Sequence, residues 1–240
     1  MRIAVIVPAY LTGPQLLEVL DGSSKVVGRE NVVVVDDGSP DSYPGEAEKL
    51  GYRVLRHEEN LGKGEALKTG FRWAVSNGFS GVVTIDGDGQ HDPSLIGPLL
   101  EKARAGKADI IVGTRMRDVR DMPWVRILVN RTTSWIISKL AGQYIEDSQS
   151  GFRFISSGVL EAINLEGSRY DLESEILIKA ARRGFRIDSI EIPTLYGEQT
   201  SYVRPIKEAL CFMRVVLGCR TWFREGAGAD SSDQRRRRSR

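Results

Sequence analysis

The chain has 240 residues, of which 28% are charged and 41% hydrophobic, and a formal charge of +2. These are ordinary values for a soluble globular protein, and they exclude collagen-like, wholly disordered and polytopic membrane classes. So small a net charge does not by itself indicate nucleic-acid binding, and the length suffices for one large α/β domain followed by a tail.

Cys211 and Cys219 have no CxxC partner, and the two histidines, His57 and His91, lie far from them in sequence. Zinc spacing is therefore absent, and a reduced, cytosolic compartment is expected. MRIAVIVPAY is too short an apolar stretch for a secretory signal, and no apolar window reaches the ~18 residues of a membrane span.

In chain order, Ile3 to Val7, Val32 to Val35, Tyr52 to Arg56, Gly81 to Ile85 and Asp109 to Val112 are short, mostly β-branched runs. Helical periodicity lies between most of them, which predicts a mostly parallel sheet covered on both faces. LGKGEALKTGFRWA reads as a glycine-rich turn feeding a helix, and a second helix is expected near Pro93 with Asp92 as its N-cap. Beyond residue 113 come a charged loop, an amphipathic helix over Val125 to Leu140, a strand-like return in SQSGFRFIS, and a helix in DLESEILIKAARRG closed by Gly184. Pro205 to Leu217 carries an apolar helical stripe, and the segment from Gly226, ending in RRRRSR, has the composition of a disordered tail.

Open α/β sheets bind ligands outside the carboxyl ends of their strands. Here those ends are VPAY, VDDGSPD and IDGDGQHDP, which places acids and turn formers at one sheet edge. Asp86 and Asp88 stand two apart, so on extended backbone they point the same way, and Gln90 offers a third oxygen. A calcium loop is excluded, because His91 stands where glycine is needed and Gly97 where a bidentate Glu is needed. An open site of few ligands suits Mg²⁺ or Mn²⁺ held jointly with substrate phosphates, the alternative being a solvated acidic turn. Asp36 and Asp37 at a second strand end suit hydrogen bonds to a ribose or base. Neither a complete dinucleotide fingerprint nor GxxxxGK[ST] occurs.

VIVPAY, VVDDGSPD, LGKGEALKTGF, TIDGDGQHDP, GTR, SQSGFRFIS, DLESEILIKAARRGFRI and PTLYGEQTSY, in this order, resemble the family 2 inverting glycosyltransferases of the GT-A fold, in particular the dolichyl- or polyprenyl-phosphate sugar transferases. The resemblance covers roughly residues 1 to 217. It implies a single-domain GT-A nucleotide-diphospho-sugar transferase fold over 1–203, an amphipathic C-terminal helix over 204–223 that contacts a membrane interface, and a disordered basic tail over 224–240. It also implies that Pro8, Ala9 and Tyr10 line the nucleotide pocket, that Asp37 contacts the nucleoside, and that Lys63 lies near the donor. Asp86, Asp88 and Gln90 match the family's metal-binding segment, and Arg115 and Arg131 match positions that hold the acceptor phosphate.

The expected reaction moves a mannose or glucose from a nucleotide-diphosphate sugar to a polyprenyl or dolichyl phosphate. The enzyme is expected to be peripheral on the cytosolic face of a membrane, without a nucleic-acid partner. An acceptor phosphate is already an anion, so it requires positioning and charge neutralisation more than a base. A soluble or polysaccharide hydroxyl acceptor requires a base, for which Asp147 is the candidate. The reading from another class is a non-enzymatic basic peripheral membrane or nucleic-acid-binding protein built around RRRRSR.

Overall fold

A computed structural model of the protein describes residues 1–120, 122–167 and 171–193. Seven strands form one sheet: β1 (Ile3–Ala9), β2 (Val32–Asp36), β3 (Arg53–Arg56), β4 (Gly81–Thr84), β5 (Ile110–Thr114), β6 (Arg153–Ser156) and β7 (Ile187–Glu191). Their order is β3-β2-β1-β4-β6-β5-β7, and only β6 runs antiparallel to its neighbours. The helices are α1 (Gln15–Val27), α2 (Tyr43–Lys49), α3 (Lys63–Ser76), α4 (Ile96–Arg104), α5 (Trp124–Ala141), α6 (Ser157–Ala162) and α7 (Asp171–Arg182).

The near-continuous apolar runs are strands because both faces of the sheet are covered. Val5, Val7 and Val34 share one core with Leu16 and Leu20 of α1 and Ile96 and Leu99 of α4. On the opposite face α3 packs so closely that a Cβ at Gly70 would collide with Ile6, which points away from Val5 and Val7. Asp92 caps as expected, accepting from the Ser94 amide at 2.8 Å, but it caps a 3-10 turn, Pro93–Leu95, that precedes α4.

Two elements depart from the sequence expectation. β7 was not anticipated, because IDSIE carries no apolar run. It forms at the sheet edge by pairing with β5, and Lys102 ties it down through the Ser189 carbonyl and Asp188. α5 is amphipathic in the reverse sense. Its inward stripe is Asn130, Ser134, Ile137 and Ala141, while Trp124, Val125, Leu128, Val129 and Trp135 are exposed. The inward polar residues are there to bond: Ser134 accepts from the Ser148 amide at 2.9 Å, and Ser138 accepts from the Ile145 amide at 2.9 Å. The expected helix over 204–223 and the tail over 224–240 lie outside the described residues.

From β1 the chain proceeds outward through β2 and β3, then returns to place β4 on β1's other side. The crevice at the carboxyl ends of β1 and β4 is thus the topological switch point of the sheet. The antiparallel course of β6 delivers the loop 147–151 to that same edge, since Arg153 pairs with Thr84.

Candidate active site

At the switch point the two acidic strand ends have different tasks. The DDGS turn following β2 ties down its neighbours. Asp36 Oδ1 accepts from the Ser39 amide at 2.8 Å, and the Ser39 hydroxyl accepts from the Leu11 amide at 2.8 Å. This fixes the loop after Pro8, Ala9 and Tyr10, in which Leu11 takes a left-handed φ of 52°. Asp37 Oδ1 contacts His57 Nδ1 at 2.7 Å and accepts from the Leu61 amide at 3.0 Å, while Oδ2 accepts from the Gly62 amide at 2.8 Å. Both carboxylates are buried, so each holds a loop of the expected nucleotide pocket in shape. That is a supporting role that the sequence reading, which expected ligand contacts from them, did not anticipate.

The β4 end carries the charge cluster. Lys63, the first residue of α3, sits with its ammonium 2.7 Å from Asp86 and 3.2 Å from Glu173. Burial works against its charge, but the two carboxylates outweigh that and hold its pKa above the ordinary lysine value. Burial likewise pushes Asp86 up, and the charge of Lys63, with His91 and Arg115 adding to it, brings the net below the ordinary carboxylate range. Asp88 has no such partner. Burial first, and the Asp86 charge second, raise its pKa. Its Oδ1 accepts the Gln90 amide, at 3.0 Å.

Gly151, from the loop before β6, closes over this cluster. A Cβ there would lie 2.5 Å from Asp86 Oδ2 and 3.0 Å from Lys63 Nζ, so a side chain at this position would displace the ends of that ion pair. Arg153 holds that loop from beneath. Wholly buried, it donates to the carbonyls of Ser150 at 2.6 Å, Ser148 at 2.9 Å and Glu173 at 2.6 Å.

Of the three residues expected to hold a metal, Asp88 feels the charge of Asp86, and the backbone amide of Gln90 donates to Asp88 Oδ1. Among the described residues no group of three or more His, Cys, Asp or Glu side chains gathers as a closed metal cage. Two carboxylates, one of them pushed up by burial and by the charge of the other, fit an open site for a hard divalent cation whose remaining ligands come from substrate phosphates.

The acceptor-side residues do not all converge. Arg115 reaches the cluster: its charge acts on both Asp86 and His91, and its Nε is buried with no hydrogen-bond partner among the described residues. Arg131 stands exposed on α5. Asp147 is wholly buried, accepting from the Gln149 amide at 3.0 Å and the Arg115 amide at 3.3 Å. It fastens the loop against β5, each carboxylate oxygen holding one backbone amide.

Sequence reasoning missed Glu173, Gly151, Arg153 and His91 as parts of the site. Glu173 lies in the apolar helix DLESEILIKA, where a charged residue on a buried face was the available signal. His91 is buried against Phe152 with an unpartnered Nδ1, and burial pulls its pKa down to about 4.

A mostly parallel sheet with an acid cluster at its switch point and a lysine at a facing helix terminus is the architecture in which α/β enzymes bind their ligands. The comparisons with known proteins make this specific. The sequence pattern of the family described as Glycosyl transferase family 2 matches residues 4–160, and the chain belongs to that family. It is 30% identical over 210 residues to a polyprenol monophosphomannose synthase of Mycolicibacterium smegmatis, covering 82% of this chain and 78% of that one. It is also 30% identical over 218 residues to a UDP-N-acetylglucosamine–dolichyl-phosphate N-acetylglucosaminyltransferase of Methanococcus voltae, covering 82% and 86%. In fold it resembles the glucosyl-3-phosphoglycerate synthase of Mycobacterium tuberculosis, crystallised with Mn²⁺, UDP and glucosyl-3-phosphoglycerate. The TM-score is 0.69 at 21% identity, over 89% of this chain and 77% of that one. The GT-A fold and the glycosyltransferase class expected from the motifs are thus borne out.

Proposed function

We propose that this glycosyltransferase moves a hexose from a nucleoside-diphosphate sugar to a polyprenyl or dolichyl phosphate, with Mg²⁺ or Mn²⁺ at Asp86, Asp88 and Gln90. The carrying observation is the contrast between the Arg115 guanidinium and the Asp147 carboxylate. A guanidinium nitrogen beside the acid cluster lacks a partner among the described residues, while the carboxylate that a hydroxyl acceptor would need as a base is buried. A cation without a base suits an acceptor that arrives already ionised. Both lipid-phosphate relatives named above support this reading, one a mannose and the other an N-acetylglucosamine transferase.

In the reaction, Pro8, Ala9 and Tyr10 line the nucleoside side, and Lys63 faces the diphosphate from the N-terminus of α3. A divalent ion held by Asp86, Asp88 and Gln90 would supply Lewis-acid stabilisation of the leaving nucleoside diphosphate. Arg115 and Arg131 neutralise and orient the acceptor phosphate for attack at the anomeric carbon, Arg131 meeting it from the α5 side.

The outer face of α5 supports a lipid-side acceptor. It exposes Trp124 and Trp135 by 74% and 62%. The helix carries Arg126, Arg131 and Lys139 and no acidic residue. Apolar and indole side chains among cations match an anionic membrane interface. Among the described residues no helix is long and apolar enough to cross a membrane, so contact is peripheral on this reading.

The test is a screen of GDP- and UDP-sugars with a short polyprenyl phosphate in detergent and Mn²⁺, with product mass measured. A polyprenyl-phosphate hexose that forms only with metal is the expected product. Transfer to a free sugar hydroxyl but not to the lipid phosphate would overturn the proposal.

A further inference from the structure

His57 has no part in the chemistry described above, yet it is buried among groups that lead to the site. Its side chain is 9% exposed, and that of Asp37 is 3% exposed. Nδ1 lies 2.7 Å from Asp37 Oδ1, and Nε2 lies 2.9 Å from the Thr69 hydroxyl on α3. Thr69 Oγ1 in turn accepts from Arg72 Nη2 at 3.1 Å. With the ring proton on Nδ1, every group is satisfied: His57 donates to Asp37, and the threonine hydroxyl donates to Nε2 while accepting from Arg72. The His57 amide also donates to the Asp36 carbonyl at 2.9 Å, so the end of β3 is anchored to the DDGS turn.

The elements joined by this chain converge on one point. Asp37 takes the amides of Leu61 and Gly62, the two residues before α3 begins. Gly62, the N-cap, has a φ of 100° and no side chain with which to cap, so a carboxylate from another strand holds the turn instead. Thr69 lies six residues after Lys63, about 9 Å along the helix axis. The clasp therefore grips α3 at its entry and again near its middle. Those two points set how far the helix projects towards β4. Lys63 Nζ stands 2.7 Å from Asp86 at the end of that projection, and a shift of ~1 Å in such a placement is enough to cost binding and rate.

We propose that His57 is a positioning residue for the nucleotide. Together with Asp37 and Thr69 it sets the register of α3, and thereby places Lys63 against the diphosphate side of the site. The inference rests on the reading that the ends of β1, β2 and β4 bind the nucleotide sugar.

Thr69→Val keeps the side chain's shape and removes its hydroxyl, and His57→Gln keeps a polar side chain while breaking the ring's two-ended bridge. Binding of GDP and of UDP, each with Mn²⁺, is measured by calorimetry beside the acceptor KM and the Tm. Both variants should bind the preferred nucleotide about tenfold more weakly, as expected for one displaced charge-assisted contact, with acceptor KM unchanged. Thr69→Ser, which restores the hydroxyl, should bind as wild type. Unchanged nucleotide affinity in Thr69→Val and His57→Gln, even with a lowered Tm, would reduce the clasp to a structural role and overturn the proposal. So would equal losses on the donor and acceptor sides. Failure of the wild-type chain to bind either nucleotide would sink the donor-site reading itself, and it would be visible before any substitution is made.

Discussion

The carboxyl edge of the sheet is built in two ways. Around β1, β2 and β4 several acidic side chains are bonded within the protein: Asp36 to Ser39, Asp37 to His57, Leu61 and Gly62, and Asp86 to Lys63. Beyond β5 the architecture opens towards solvent, with an exposed Arg131 and a helix whose apolar side chains face outward. The difference matches two kinds of ligand. A nucleotide is a rigid group of fixed shape, and a preorganised pocket avoids the cost of ordering loops on binding. A lipid phosphate is presented by a fluid surface, and a cationic, apolar face accommodates it without a closed pocket.

Asp88→Ala breaks the first half most severely. Turnover should fall by more than about 100-fold, since even a supporting residue of a metal site is worth ~10- to 100-fold. Stability should move the other way. The folded pKa of Asp88 is raised, so its contribution to stability is present at acid pH and is lost as pH rises through that value. At neutral pH the ionised group weighs against the metal-free fold, and Asp88→Ala should raise the metal-free Tm. A lowered Tm with turnover retained would assign Asp88 to the fold and not to the chemistry.

Lys63→Met removes the charge between Asp86 and Glu173. The cost should be about 2 kcal/mol, reduced from the value for a fully buried pair because these groups keep some solvent contact. In the wild type the depressed pKa of Asp86 contributes stability above the ordinary carboxylate value, and this is lost as pH falls through the folded one. Without Lys63 that protection disappears, so acid unfolding monitored by circular dichroism should begin at higher pH. Coincident acid limbs for the two proteins would contradict the ion pair.

Arg131→Ala addresses the more open half. Acceptor KM should rise about tenfold with donor KM unchanged, and lysine should rescue only in part, because an arginine–phosphate contact is charge-assisted and often bidentate. Equal loss on the donor side would place Arg131 with the nucleotide. The smallest effect is expected from Trp135→Ser, which should lower partitioning onto anionic vesicles a few-fold and leave activity on a detergent-solubilised acceptor intact. Sedimentation equal to wild type would remove α5 from the membrane contact.

Much of this comparison was legible in the sequence, unevenly. Near-continuous β-branched runs announced β1, β2, β4 and β5, because a strand buried on both faces leaves a local apolar signature. The extended geometry expected to align Asp86 with Asp88 does not reach them: β4 ends at Thr84, and Asp88 stands in the turn that follows. Glu173 and Arg153 carried no such signature. Their partners, Lys63 for the one and the carbonyls of Ser148 and Ser150 for the other, are contacts made only once β6 and α7 have packed.

The clearest division lies in α5 and Asp147. The 3.6-residue period predicted a helix over Val125 to Leu140, where Trp124–Ala141 forms, but period alone does not say which stripe faces inward. Packing on the loop before β6 decided that, since Ser134 and Ser138 satisfy backbone amides that would otherwise be buried without partners. Likewise, local sequence supplied a carboxylate beside the site in Asp147, and the tertiary structure turned it inward to hold two amides. Sequence by itself therefore determined which residues carry charge and which segments form strands, because those depend on neighbours along the chain. Which charges remain open to a ligand was decided by burial and hydrogen bonding between segments far apart in sequence.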